Sequence, residues 1–157
     1  MGYSICPFLW KALSMPRISR SVLVMYSAEQ MYNLVSDIES YAEFLPGCIG
    51  GHIDYQEGEQ LEATLEVAKA GLSHSFSTRN KMIHGKSIEM QLLEGPFEYL
   101  TGIWTFQPLG KDGCKVSLEL EFEMSNKLAQ VTLGGLISQV MNTTVDAFGK
   151  RAEQIYG

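Results

Sequence analysis

The sequence predicts an α+β fold in which a curved, seven-stranded antiparallel sheet wraps around one long C-terminal helix. Three observations predict it. Over residues 125–156, apolar side chains recur in steps of three and four at Leu133, Ile137, Val140, Met141, Val145, Phe148, Ala152 and Ile155. That spacing draws one continuous stripe on a helix of about 45 Å. Before it, residues 49–124 alternate apolar and polar positions and are broken by glycine-containing turns at intervals of about ten residues, the pattern of antiparallel hairpins. The remaining helical signal lies between the first strand and the rest, so helix and sheet are segregated along the chain. A sheet this wide can bury its inner face against a single helix only by curling around it, which is a helix-grip arrangement.

Each element has its own signature. Residues 18–24 are rich in β-branched and apolar side chains and form the first strand. Ser27 then opens a helix, with Gln30 at the capping-box spacing and Met31, Leu34, Val35 and Ile38 as the apolar face. A second short helical turn over 39–44 is closed by Pro46-Gly47. Strands follow at 49–55, 60–69, 72–83, 87–93, 99–107 and 114–124. The last is the most regular: Cys114, Val116, Leu118, Leu120, Phe122 and Met124 point one way, and Lys115, Ser117, Glu119, Glu121 and Glu123 the other. Strict alternation means one dry face and one wet face. Ser125 and Asn126 offer an N-cap for the final helix.

The totals set limits. The chain has 157 residues, 45% hydrophobic and 19% charged, which suits one domain with one core. Residues 15–157 are read as that domain. Residues 1–14 are apolar but carry neither a basic leading segment nor a clear cleavage site. They are read as a disordered extension or a start-site artefact, with Met15 as a natural alternative start; the other reading is a short apolar segment that docks on the domain or on a membrane. A net charge of −6 argues against a general DNA or RNA binder but leaves room for a local basic patch. Cys6, Cys48 and Cys114 are scattered and form no CxxC pair, consistent with reduced thiols in the cytoplasm. No apolar run is long enough for a membrane span.

Motifs for catalysis are absent or weak. There is no GxSxG or HExxH, and the glycines from Gly47 to Gly51 neither fit a phosphate-loop fingerprint nor open a helix. His52, His74 and His84 lack metal-ligand spacing, so no metal is expected. Cys48 follows a Pro-Gly turn and would need a histidine beside it to act as a nucleophile. The expected activity is therefore binding, not catalysis.

Two features point to partners. First, seven strands present more inner face than one helix covers, so the remainder is either side-chain core or an apolar ligand cavity. Inner-parity positions that would line it are Leu65, Val67, Phe76, Met90, Leu92, Leu100, Trp104, Phe106, Leu118 and Phe122, with Ile137 and Met141 from the helix. His74, Thr78 and Asn80 share parity with Phe76 and could orient a polar group. Gly134-Gly135, inside the long helix, reads either as a kink or close contact or as space left for a ligand. Second, Lys69, Arg79, Lys81 and Lys86 lie in a stretch with no acidic residue, together with His74 and His84. This local basic hairpin reads either as ordinary edge charge or as a contact for phosphate on RNA or a membrane surface.

Three segments together suggest a family: the residues from Ser27 to Tyr32, Phe44-Leu45-Pro46-Gly47-Cys48, and the run Gly95-Pro96-Phe97-Glu98-Tyr99-Leu100 continuing to Trp104 and Phe106. They resemble the coenzyme Q-binding branch of the START-like polyketide cyclase and lipid-transport superfamily, over about residues 15–157. The resemblance implies an apolar cavity between sheet and helix that binds ubiquinone or a related isoprenoid lipid and supports respiration. It marks Leu45, Pro46, Phe97, Leu100 and Trp104 as ligand contacts. It also implies an alternative, because toxin-like bacterial members are held to bind the large ribosomal subunit and block subunit joining. A third alternative is a polyketide cyclase or aromatase. The implied place of action is the cytoplasm, with transient contact at the inner membrane. Gly47 departs from the bulky aromatic that eukaryotic members tend to carry there, which bears on quinone specificity and not on the fold.

Overall fold

The computed structural model describes residues 17–69 and 71–157; of Lys69 and Leu133 it describes the backbone alone. The expectation about residues 1–14 and the Met15 start lies outside the described residues. Strand β1 (Arg17–Val24) is followed by helix α1 (Ala28–Ser36) and a short 3-10 helix (Ile38–Glu43). Six strands come next: β2 (Cys48–Glu57), β3 (Gln60–Lys69), β4 (Leu72–Ile83), β5 (Ser87–Glu94), β6 (Phe97–Leu109) and β7 (Gly113–Met124). Helix α2 (Lys127–Tyr156) ends the chain. The seven strands form one antiparallel sheet in the order β1-β7-β6-β5-β4-β3-β2.

The start of α1 follows from its capping residues. The Gln30 backbone N–H donates to the Ser27 hydroxyl at 3.1 Å, and the Ser27 N–H donates to the Gln30 side chain at 2.9 Å. Two otherwise orphan donors are thereby satisfied. Met31, Leu34 and Val35 are buried beneath the helix. The second predicted helix forms as 3-10 and lies against β2. A Cβ at Gly51 would sit 2.3 Å from the Ile38 carbonyl oxygen. Gly51 is therefore there because two backbones meet, which accounts for a glycine that fits no phosphate fingerprint.

Helix α2 crosses the inner face of the sheet. Asn126 caps it, accepting from the Ala129 N–H at 2.8 Å. Ile137, Met141, Val145, Phe148 and Ala152 are buried as predicted, Val140 is half-buried, and Leu136 joins the buried face. Ile155 departs from the predicted stripe, being 50% exposed. The reason lies one residue on. The Tyr156 hydroxyl donates to the Gln30 carbonyl at 3.0 Å and its ring packs on Tyr26, so the last turn docks on α1 through Tyr156.

The core has two halves along α2. One gathers Tyr41, Trp104, Phe106 and Phe148 with α1 and the 3-10 helix; the other gathers Val67, Phe76, Phe97, Leu100 and Phe122 under the first half of α2. Phe148 is fully buried and meets Tyr41, Phe44 and Trp104 edge to face, with centroids 5.2–5.4 Å apart.

Candidate functional site

Between the two halves of the core, sheet and helix leave a narrow apolar cavity of about 100 Å³. Leu65, Val67, Phe76, Leu100 and Trp104 line it from the sheet, Leu45 from the loop after the 3-10 helix, and Ile137 and Met141 from α2. Met90 and Leu118 line it too. The remaining predicted positions lie elsewhere. Phe97 packs edge to face between Phe76 and Phe122, and Phe106 meets Tyr32 edge to face and stacks on Trp104, so both are core side chains behind the cavity wall. Pro46 sits in a separate surface groove of about 250 Å³ with Gly47, Ala68, Leu136 and Val140. Val140 borders both hollows, and a Cβ on Gly47 would come within 2.6 Å of its Cγ2.

The polar groups also differ from expectation. Thr78 and Asn80 are buried and face the cavity, the Thr78 hydroxyl donating to Asn80 Oδ1 at 2.9 Å. His74 is exposed near the start of β4, where the strand runs past the covered face. The glycine pair in α2 opens no space: at Gly134 a Cβ would meet Gln130 of its own helix, and Gly135 faces outward. Missed lining positions are Ile38, Tyr41, Cys48, Ala63, Leu120 and Thr144. Ala63 and Leu120 share parity with predicted neighbours. Thr144 lies seven residues after Ile137, two turns along the same face, where a polar side chain adds nothing to an apolar stripe.

The titratable groups on the wall are Tyr41 and Cys48. The Tyr41 hydroxyl donates to the Val35 carbonyl, and burial drives its pKa far up. Burial also raises the thiols of Cys48 and Cys114. A thiolate is thus disfavoured where a nucleophile would need one. Among the described residues, no group of His, Cys, Asp and Glu could hold a metal ion.

These shifts predict an alkaline limit to stability. A folded-state pKa raised above its unfolded value contributes stability fully present below the unfolded value and lost as pH climbs toward the folded one. With ordinary values of 9.0 for cysteine and 10.0 for tyrosine, the melting temperature should hold up to about pH 9 and then fall. A melting series from pH 7 to 11 tests this, and a flat profile to pH 11 would contradict it.

The basic hairpin of the sequence does not remain basic in the sheet. Arg79 Nε lies 3.1 Å from Glu62 Oε2 on β3, and Lys81 stands opposite Glu89 on β5. The hollow they border on the outer face, about 940 Å³, also carries Arg17, Glu57, Glu59, Glu119 and Glu121. Its carboxylates outnumber its cations. Lys86 is exposed in the β4–β5 turn, and the Lys69 side chain lies outside the described set. Strand neighbours nearly 5 Å away decide this local charge, and they are far off in sequence.

Comparisons with known proteins agree with this geometry. The family model described as "Polyketide cyclase / dehydrase and lipid transport" matches residues 24–149. The ribosome association toxin RatA of Escherichia coli is 44% identical over 149 residues, covering 95% of this chain and 94% of the relative. A mitochondrial coenzyme Q-binding protein of Dictyostelium discoideum is 24% identical, over 84% of this chain and 66% of its own length. Among solved structures, the Zhui aromatase/cyclase from Streptomyces superposes with a TM-score of 0.80 at 18% identity, covering 91% of this chain and 96% of that one. No helix among the described residues is long and apolar enough to cross a membrane.

Proposed function

The chain belongs to the polyketide cyclase/dehydrase and lipid transport family, and within it we propose that this protein associates with the ribosome. The observation that carries the reading is the 44% identity, over nearly the whole of both chains, to a relative named for ribosome association. In this reading the protein works in the cytoplasm, binds the large subunit and keeps the small subunit from joining it. It acts by binding and not by chemistry, which fits a cavity whose titratable groups, Tyr41 and Cys48, are both shifted by burial further from ionisation.

The cavity supports a second, narrower reading. Its wall is apolar, with one hydrogen-bonded polar pair at Thr78 and Asn80, as in many small-molecule sites. At about 100 Å³ it is well below the roughly 300–1,000 Å³ of such pockets. An isoprenoid quinone fits it only if α2 and the sheet move apart. The quinone reading therefore ranks second, and cyclase chemistry third.

The proposal is tested on subunit joining. Purified protein added to dissociated subunits, before magnesium is raised, should reduce the joined peak in a sucrose gradient in proportion to its concentration. An unchanged peak at a tenfold excess over subunits would overturn it.

A further inference from the structure

Charge on the outer face of the sheet is segregated by rows running across the strands. One row joins Arg17, Glu121, Thr101, Gln91, Arg79 and Glu62; the next joins Ser19, Glu119, Ile103, Glu89 and Lys81. Both mix charges of the two signs. The third row carries hydroxyls across four strands and no charge: Ser21 opposite Ser117, Ser117 opposite Thr105, and Thr105 opposite Ser87, with Ile83 beyond on β4. None of these four hydroxyls is hydrogen-bonded to another described group. The fourth row, at the end of the sheet, places Leu23 beside Lys115 and Lys115 beside Gln107. Lys86 flanks β6 on its other side, where its carbonyl accepts from the Phe106 N–H at 2.9 Å. Lys111 follows in the β6–β7 turn.

Lys86, Lys111 and Lys115 are exposed, and none enters an ion pair among the described residues. The nearby carboxylates are Asp112, in the same turn as Lys111, Glu29, which lies 3.8 Å from His84, and Glu119 and Glu89 in the adjoining row, where Glu119 accepts from Ser19 and Glu89 stands opposite Lys81. In a chain of net charge −6, this end of the sheet gathers unpaired cations, Lys115 on the outer face and Lys86 and Lys111 in the adjoining turns, beside free hydroxyls.

We propose that this row end, built from Lys86, Lys111 and Lys115 with the hydroxyls of Ser21, Ser87, Thr105 and Ser117, is the surface that contacts ribosomal RNA. The inference rests on the ribosome-binding reading and adds where the contact lies. Lysines supply the counterion-releasing phosphate contacts, and hydroxyls donate to phosphate and sugar oxygens. Across four strands the row spans about 14 Å, a pleated face able to follow a strand of RNA backbone. The Arg79 and Lys81 region is a poorer partner for phosphate, because Glu62 and Glu89 already face those cations.

The test is co-sedimentation with purified large subunits across a salt series, comparing wild type with two variants. The triple variant Lys86→Glu, Lys111→Glu, Lys115→Glu should bind at least about tenfold more weakly, with the salt slope reduced by roughly 2–3. The corresponding triple arginine variant should bind like wild type. Arg79→Glu with Lys81→Glu should change binding less than threefold. Melting curves show whether each variant is folded. If wild type binds and the folded triple glutamate variant binds equally, the surface is wrong while the ribosome reading stands. If wild type itself does not bind, the ribosome reading fails first. If the lysines govern binding to phosphatidylglycerol vesicles and not to subunits, the RNA assignment is overturned.

Discussion

Phe148→Ala is expected to lower stability by about 3–5 kcal/mol. Phe148 has no exposed surface, and its ring meets those of Tyr41, Phe44 and Trp104. It therefore joins α2, the 3-10 helix, the following loop and β6 at one point. Truncation removes the buried area and the edge-to-face contacts together, and a neighbourhood anchored on three different elements cannot collapse to refill the space. Chemical denaturation measures the effect. A loss below about 1.5 kcal/mol, the scale of a well-tolerated core swap, would mean that this aromatic junction does not hold helix to sheet.

Trp104→Ala should cost a similar 3–5 kcal/mol, with a different signature. Trp104 is a wall of the cavity, stacked against Phe106 at 6.4 Å and edge to face with Phe148. Removing it extends the existing hollow of about 100 Å³ instead of opening an isolated void. An enlarged apolar cavity stays dry and takes up small apolar molecules. Benzene should therefore raise the melting temperature of the variant and leave wild type nearly unchanged, since a ligand stabilises only the state that binds it. A wild-type protein stabilised by benzene as strongly as the variant would show that the cavity is already open.

The sheet was readable because each strand carries its own evidence. Strict alternation from Cys114 to Met124 fixes which face is dry whatever lies alongside, and all six of those inward residues are buried. The cavity was legible in part. Parity identifies Leu65, Phe76, Leu100 and Trp104 as inward, but it does not separate wall from core. Phe106 has the same parity yet lies behind the lining, and Phe97, of opposite parity, is turned inward by the register shift between Phe97 and Tyr99; both are held by ring contacts with residues distant in sequence. Thr144 was hidden by its polarity, although its hydroxyl is satisfied within its own helix by the Val140 carbonyl at 2.6 Å. Surface charge was the least legible property. Four cations close together in the chain read as a basic patch, yet strand pairing sets Glu62 beside Arg79 and Glu89 beside Lys81. The same pairing brings Lys86 and Lys115, far apart in sequence, to either side of β6.

Direct binding to separated ribosomal subunits tests the central claim most closely. Purified protein is sedimented with large subunits, with small subunits, and alone, at about 100 mM salt and again at several times that concentration. The account predicts that the protein pellets with large subunits, stays in solution with small subunits, and is released from large subunits as salt rises. Equal partition between the two subunits, or protein left in solution with both, would contradict it.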